Sequence, residues 1–179
     1  MKTIKVPNRE EVSPQSQLLF DQISASIGKV PNLYAAIGYS PQTLKGFLQF
    51  DGALAGGIFS AKEKEAINLV VSEVNDCSYC LAAHTMLAKT KGFSHEEIIS
   101  FRKGYTEEAK LNAVIQLAKN ITENHGHAEE QFLVDFFAAG FQEDALIELL
   151  GLIAVRIFTN YVHAVTGVPI DFPEAMSLK

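Results

Sequence analysis

Ser60-Ala61-Lys62-Glu63-Lys64-Glu65-Ala66-Ile67-Asn68-Leu69-Val70-Val71-Ser72-Glu73-Val74-Asn75-Asp76-Cys77-Ser78-Tyr79-Cys80-Leu81-Ala82-Ala83-His84 reads as a helix, a break and the opening of a second helix. Ser60 and Glu63 have the form of a capping box, which starts the first helix at 61. Past the break, Leu81, Ala82, Ala83, Met86, Leu87 and Ala88 carry a helical run over 78–91. On that run Cys77, Cys80 and His84 stand at i, i+3 and i+7, near one face. Two thiols and an imidazole therefore share one small volume.

Working outward, the punctuation is that of helices. Ser13-Pro14 and Ser40-Pro41 each place a capping residue before a proline at the first helical position. Ser94-His95-Glu96-Glu97 repeats the capping-box form. Gly28, Gly56-Gly57, Gly92, Gly104, Gly126 and Gly140 fall where helices stop. The spacing predicts helices near 14–28, 32–38, 41–55, 61–74, 78–91, 95–103, 107–124, 129–139 and 142–165. Residues 1–12 are expected as an extended N-terminal arm. No segment alternates with a period of two, so the fold class is all-α, a helical bundle. The last helix is apolar nearly all round, which places it at the centre of a core or in a subunit interface. With Phe132, Phe136, Phe137 and Phe141 it supplies more apolar surface than one small domain hides, so an oligomer is expected.

At 179 residues and 47% apolar composition the chain can bury a full core as a single domain, 1–179. Its net charge of −6, with no arginine-rich run, disfavours nucleic acid and anionic membranes as partners. Met1 to Pro7 lack an apolar core of signal-peptide length, and the longest apolar run, 145–158, is broken by Glu148 and Arg156, short of a membrane span of about 20 residues. The expected setting is soluble and cytoplasmic. In a reducing compartment the two cysteines are a catalytic or metal-binding pair rather than a structural staple.

Geometry gives that pair its chemistry. Side chains three apart on a helix have Cβ atoms roughly 5–6 Å apart, whereas a relaxed disulfide requires about 3.5–4.5 Å. A bond between Cys77 and Cys80 can close only at the first turn and under some strain, which makes it oxidising and readily reduced. Unsatisfied N–H groups and the helix dipole favour a thiolate there, below the free thiol value of about 8.5.

The segment 60–92 resembles the redox members of the alkylhydroperoxidase D-like and carboxymuconolactone decarboxylase superfamily, which carry a Glu twelve residues before a Cys-x-x-Cys-x-x-x-His motif. Here the matching positions are Glu65, Cys77, Cys80 and His84. The order of helices and the ending Asn160-Tyr161-Val162-His163 to Asp171-Phe172-Pro173 are similar to the single-domain, peroxidase-related branch. The resemblance implies a peroxidase cycling a dithiol and a disulfide without a cofactor or metal. Cys80 would be the peroxidatic thiol and Cys77 the resolving one. Glu65 would be the base of a proton relay through Cys77 and His84. It further implies a hydroperoxide substrate, a thiol or lipoyl-type reductant, and a homo-oligomer, a hexamer in preference to a trimer. Tyr79 stands where some relatives place a second His between the cysteines. Ring-lactone decarboxylation, the acid–base chemistry on the other side of the superfamily, is disfavoured because the whole redox tetrad is retained. A general disulfide oxidoreductase and a non-enzymatic redox-sensing oligomer use the same cysteines.

The residues taken alone leave other readings open. Two buried thiols can serve as small hydrophobes. A zinc ion would find one Cys pair and one His, short of four protein ligands. Glu63 and Glu65 are both ordinary helix carboxylates, and the stripe 65, 69, 72 and 76 favours Glu65. Glu73 is the substitute should Glu65 face solvent. His84 could be a core histidine. His95, His125 and His127 are expected as caps or surface residues. His163 and Arg156 lie on the last helix, and a buried Arg156 needs a partner, either Glu148 two turns earlier or an acid from a neighbouring subunit.

Overall fold

The computed structural model describes residues 4–178, and among them the regular structure is helical throughout. A 3-10 turn at Arg9–Glu11 precedes α1 (Pro14–Ile27), α2 (Asn32–Ile37), α3 (Pro41–Ala55), α4 (Ala61–Val74), α5 (Ser78–Thr90), α6 (His95–Lys103), α7 (Ala109–Glu123), α8 (Glu130–Ala138) and α9 (Glu143–Thr166). The all-α expectation holds, and most helix ends fall within a residue of those read from capping signals. Ser13, Ser40, Ser60 and Ser94 each accept a backbone N–H of the first turn, and Glu63 and Glu97 close the two capping boxes. The arm departs from the extended conformation expected for it. Asn8 and Glu11 form a third capping box, which coils residues 9–11. Its first three residues lie outside the described ones. The Ile4 N–H donates to the Thr166 carbonyl at 3.1 Å, pinning the arm to the end of α9.

The hub is α4, which packs against α5, α6, α7 and α9. Apart from Glu73 near its end, its charges lie in the first turns: Glu63 caps the helix and Lys64 Nζ donates to the Ala55 carbonyl at 2.8 Å. From Glu65 to Ser72 every residue is buried. The apolar α9 covers one side of α4 and also meets α2, α3, α5 and α7, yet it keeps Ile147, Leu150, Tyr161 and Val165 exposed. By length and composition α9 could cross a membrane. The sequence reading discounted such a span because Glu148 and Arg156 interrupt it, but two charges leave a long enough apolar window. Here Ala145, Leu149, Leu152 and Ile153 of α9 lie in the main core.

Two apolar clusters divide the interior. The larger joins α4 to α6, α7, α8 and the first half of α9. The smaller is built by α1, α2 and α3 with Val155 and Val168, and it encloses Cys77, Tyr79 and Cys80. The cysteines thus occupy the seam where the N-terminal helices close over α5 and α9. Leu149, fully buried in the larger cluster, sets a test of this packing. Leu149→Ala is expected to cost about 2–5 kcal/mol, whereas Leu18→Ala, on the exposed side of α1, should stay within about 0.5 kcal/mol. Urea unfolding midpoints of the two variants measure the difference.

Candidate functional site

The break between α4 and α5 is a single tight turn. Asn75 ends α4, and Asp76 takes a left-handed conformation with φ of 50°, a region that Asp and Asn tolerate better than most side chains. The Asp76 N–H then donates to the Glu73 carbonyl at 3.0 Å and the Cys77 N–H to the Ser72 carbonyl at 2.9 Å, the paired bonds of a Schellman stop. Cys77 is also the N-cap of α5, with its sulfur accepting the Cys80 N–H at 3.3 Å. One residue therefore closes one helix with its amide and opens the next with its side chain. Cys80 follows one turn later, and both thiols are free and buried.

Glu65, on α4, reaches His84, on α5, with Oε2 2.7 Å from Nδ1 in a buried contact. The structure separates the three candidate carboxylates. Glu63 is engaged with the Ser60 amide at 2.7 Å and Glu73 with Arg102 Nε at 2.7 Å, which leaves Glu65 against the imidazole. Among the described residues no hydrogen bond joins Glu65 to Cys77 or His84 to either thiol, and His84 and Cys80 meet only in lining one cavity. No three His, Cys, Asp or Glu side chains among the described residues are grouped to hold a metal ion.

A layer of polar groups beside the thiols was not evident from the sequence. Arg156, buried on α9, donates from Nε to Asn68 Oδ1 at 3.0 Å and from Nη1 to Thr159 Oγ1 at 3.3 Å. Its expected partner, Glu148, instead accepts the Ile58 and Phe59 amides at 2.7 and 3.2 Å. Gly57 leaves room for that carboxylate, since a Cβ there would collide with it. Thr159 Oγ1 lies 3.9 Å from Cys80 Sγ. Asn160 takes a hydrogen bond from Asn75 at 3.0 Å and gives one to Ser72 at 3.3 Å. The available signal was polar residues at 156, 159 and 160, on one face of an otherwise apolar helix, facing Asn68 and Ser72 in a buried stretch of α4.

Cys80, His84, Arg156 and Thr159 line a cavity of about 350 Å3, walled by Ile27, Leu33, Tyr34, Tyr79, Leu87 and Phe172 among others. Tyr79, the residue between the cysteines, donates its hydroxyl hydrogen to Asp171 Oδ1 at 2.6 Å and accepts the Leu33 amide at 3.1 Å. Lys29 Nζ, 2.7 Å from Asp171 Oδ2, sits over the Phe172 ring. His163 packs its ring against Tyr79, outside the residues that line the cavity. His95, His125 and His127 are exposed at helix ends, as expected.

Residues 41–119, from α3 through α7, match the model of the carboxymuconolactone decarboxylase family. The matched stretch spans the helices that carry Glu65, Cys77, Cys80 and His84. Its fold is shared by the alkylhydroperoxidase AhpD core of an uncharacterised peroxidase-related protein from Ralstonia eutropha JMP134, at a TM-score of 0.81 and 17% identity over 94% of this chain and 91% of that one. An uncharacterised peroxidase-related protein from Silicibacter sp. TM1040 superposes at 0.80 with 21% identity, over 94% and 91% of the two chains. The debrominase Bmp8 C82A, in complex with 2,3,4-tribromopyrrole, gives 0.80 and 19% over 96% and 93%. At such identities the likeness is one of fold. No curated protein matches the chain.

In this AhpD-like frame the two thiols divide the charge unequally. The hydrogen bond from the Cys77 thiol pushes Cys80 down to about 5, with Arg156 and His84 adding to it and burial opposing. Cys77 is pushed up by the same bond, by burial and by the negative charge of its neighbour. The helix-terminal amide favours charge on Cys77, but it is one N–H against a thiol donor and the cationic Arg156, so the thiolate is assigned to Cys80.

Burial works against ionised Glu65, but the charge of His84, their hydrogen bond and Arg156 outweigh it and hold the carboxyl below the usual range. A depressed carboxyl stabilises the fold fully above its unfolded value of about 4.3, and that contribution disappears as pH falls through the folded value. The stability gap between the wild type and Glu65→Gln should therefore shrink as pH falls from about 5 to about 3. Urea midpoints across that range test it, and a gap unchanged down to pH 3 would refute the ionised pair.

Proposed function

We propose that the protein is a thiol-dependent hydroperoxide reductase that cycles Cys77 and Cys80 between dithiol and disulfide. The observation that carries this reading is Cys80 on the wall of a largely apolar cavity, with the Cys77 thiol as its hydrogen-bond donor and the Glu65–His84 pair one turn away. In the first step the Cys80 thiolate attacks the outer peroxide oxygen. The S–O bond forms, the O–O bond breaks, and the electron pair leaves on the alkoxide, which takes a proton from His84. Cys80 is then a sulfenic acid. In the second step Cys77 attacks that sulfur, forming the disulfide and releasing water. A small dithiol or a lipoyl-type protein thiol restores the pair by exchange. The cavity is larger than hydrogen peroxide requires and its walls are apolar and aromatic, which favours an organic hydroperoxide.

A second reading is supported by the same cavity and by the tribromopyrrole carried by the Bmp8 structure. The dithiol would reduce a brominated aromatic ring, giving the hydrogen-substituted ring, bromide, a proton and the Cys77–Cys80 disulfide. Parallel turnover assays with cumene hydroperoxide, a bromopyrrole and lipoamide separate the two from simple disulfide exchange.

Treatment with one equivalent of cumene hydroperoxide, followed by mass spectrometry, tests the order of the cysteines. The wild type should lose about 2 Da as the disulfide forms, Cys77→Ser should gain about 16 Da as a trappable sulfenic acid, and Cys80→Ser should stay unchanged. Glu65→Gln should slow turnover by roughly 10²–10⁴-fold, the usual contribution of an acid–base group. Unaltered peroxide consumption in Cys80→Ser would reject the peroxidase reading.

A further inference from the structure

Arg156 carries a charge that no direct ion pair balances, although it acts at longer range on Glu65. The residue is 8% exposed, and among the described residues no carboxylate oxygen lies within 4.0 Å of its guanidinium. Its hydrogen bonds go to neutral oxygens, Asn68 Oδ1 and Thr159 Oγ1. Removing a cation from water is expensive, and neutral acceptors alone recover only part of the cost, so apolar side chains commonly replace such groups without loss of stability. Retaining the charge makes physical sense where an anion is generated nearby. Of the two helices that hold Arg156, α9 also forms a wall of the redox cavity, which Arg156 lines together with Cys80.

We propose that Arg156 is the charge partner of the Cys80 thiolate and a donor to the oxygen that departs from the peroxide. The second half rests on the hydroperoxide reductase reading, and the first does not. Thr159 lies between the two groups: its Oγ1 accepts from Arg156 Nη1, donates to the Arg156 carbonyl at 2.8 Å, and stands 3.9 Å from the sulfur, whose thiol form donates to it. Asn68, fixed in the buried stretch of α4, holds Nε and so sets the plane of the guanidinium. The other titratable or charged groups around Cys80 do not supply a permanent buried cation. Cys77 is a thiol donor, His84 is bound to Glu65, and Tyr34 on α2 and Tyr79 on α5 are neutral phenols held well above their ordinary values by burial. Lys29 lines the same cavity, but its side chain is half exposed and paired with Asp171. As the O–O bond breaks, negative charge moves from sulfur to oxygen, and a guanidinium lining the same cavity stabilises the charge at the start and at the end of the transfer.

The test reads Cys80 alone, without peroxide. Iodoacetamide alkylation of the full-length reduced protein, resolved by peptide mass spectrometry over a range of pH, gives the thiolate midpoint of Cys80 separately from Cys77. Arg156→Met should raise that midpoint by about one pH unit or more, and Arg156→Lys should restore most of it. Asn68→Asp keeps the side-chain shape, places a carboxylate on Nε, and should raise the midpoint by satisfying the guanidinium elsewhere. This second variant decides the matter if Arg156→Met does not fold. At neutral pH, oxidation of Cys80 by cumene hydroperoxide should slow about tenfold or more in Arg156→Met, and recover less in Arg156→Lys than the midpoint does, because a point charge replaces a planar donor fork. An unchanged midpoint in folded Arg156→Met, or in Asn68→Asp, would overturn the charge pairing. A shifted midpoint in a protein inert to every hydroperoxide would keep the charge pairing and overturn both the reductase reading and the role toward the leaving oxygen.

Discussion

The turn at Asn75, Asp76 and Cys77 governs the site. A helix end leaves carbonyls without partners and a helix start leaves amides without partners, and ordinarily several loop residues intervene to satisfy them. Here one left-handed residue, Asp76, reverses the chain so sharply that the Cys77 amide caps α4 while its sulfur caps α5. The second cysteine is then delivered one turn into α5, beside the first. A longer loop would separate the hub helix from the thiols and loosen the register that brings Glu65 opposite His84. The sulfur positions, the ion pair and the cavity wall all inherit their placement from this reversal.

The seam between α4 and α9 supplies the polar environment. Most of the buried face of α4 is apolar, and Asn68 and Ser72 interrupt it where α9 presents Arg156 and Asn160. Each of these groups finds a partner across the seam, which offsets the cost of removing it from water. The network thereby fixes the rotation and translation of α9 against α4, a role that apolar contacts, being non-directional, fill poorly. The same side chains approach the thiols, so the specificity of packing and the electrostatics of the site are parts of one arrangement. The C-terminal segment completes the enclosure. Asp171 draws together Tyr79 and Lys29, and Phe172 closes against the Tyr79 ring, so the residue between the cysteines also holds down the cavity wall.

The comparison with known folds places this architecture among peroxidase-related proteins and a debrominase alike. On the reductase reading proposed above, a thiol pair in a largely apolar chamber is a two-electron device whose substrate is chosen by the chamber rather than by the sulfurs. The contents of its walls, aromatic at one side and cationic at Arg156, therefore bear on substrate choice more directly than the CxxC motif does.

The sequence alone determined the helices, because their limits are local: Ser caps, Pro at first positions, Gly stops and three-to-four spacing act within a few residues. It also determined that two thiols and an imidazole share a face of α5, since helix geometry needs no distant contact. What it left open was everything across chain distance. Glu63 and Glu65 look alike until the Ser60 cap claims one and the packing of α4 on α5 delivers the other to His84. The partner of Arg156 was sought in acids, one of them on the same helix, whereas it lies 88 residues away on α4, and Glu148 was already engaged with the backbone before α4. The aromatic C-terminal wall gave no local signal either. Periodicity reports which side chains share one helix face, and only the docking of helices decides what that face meets.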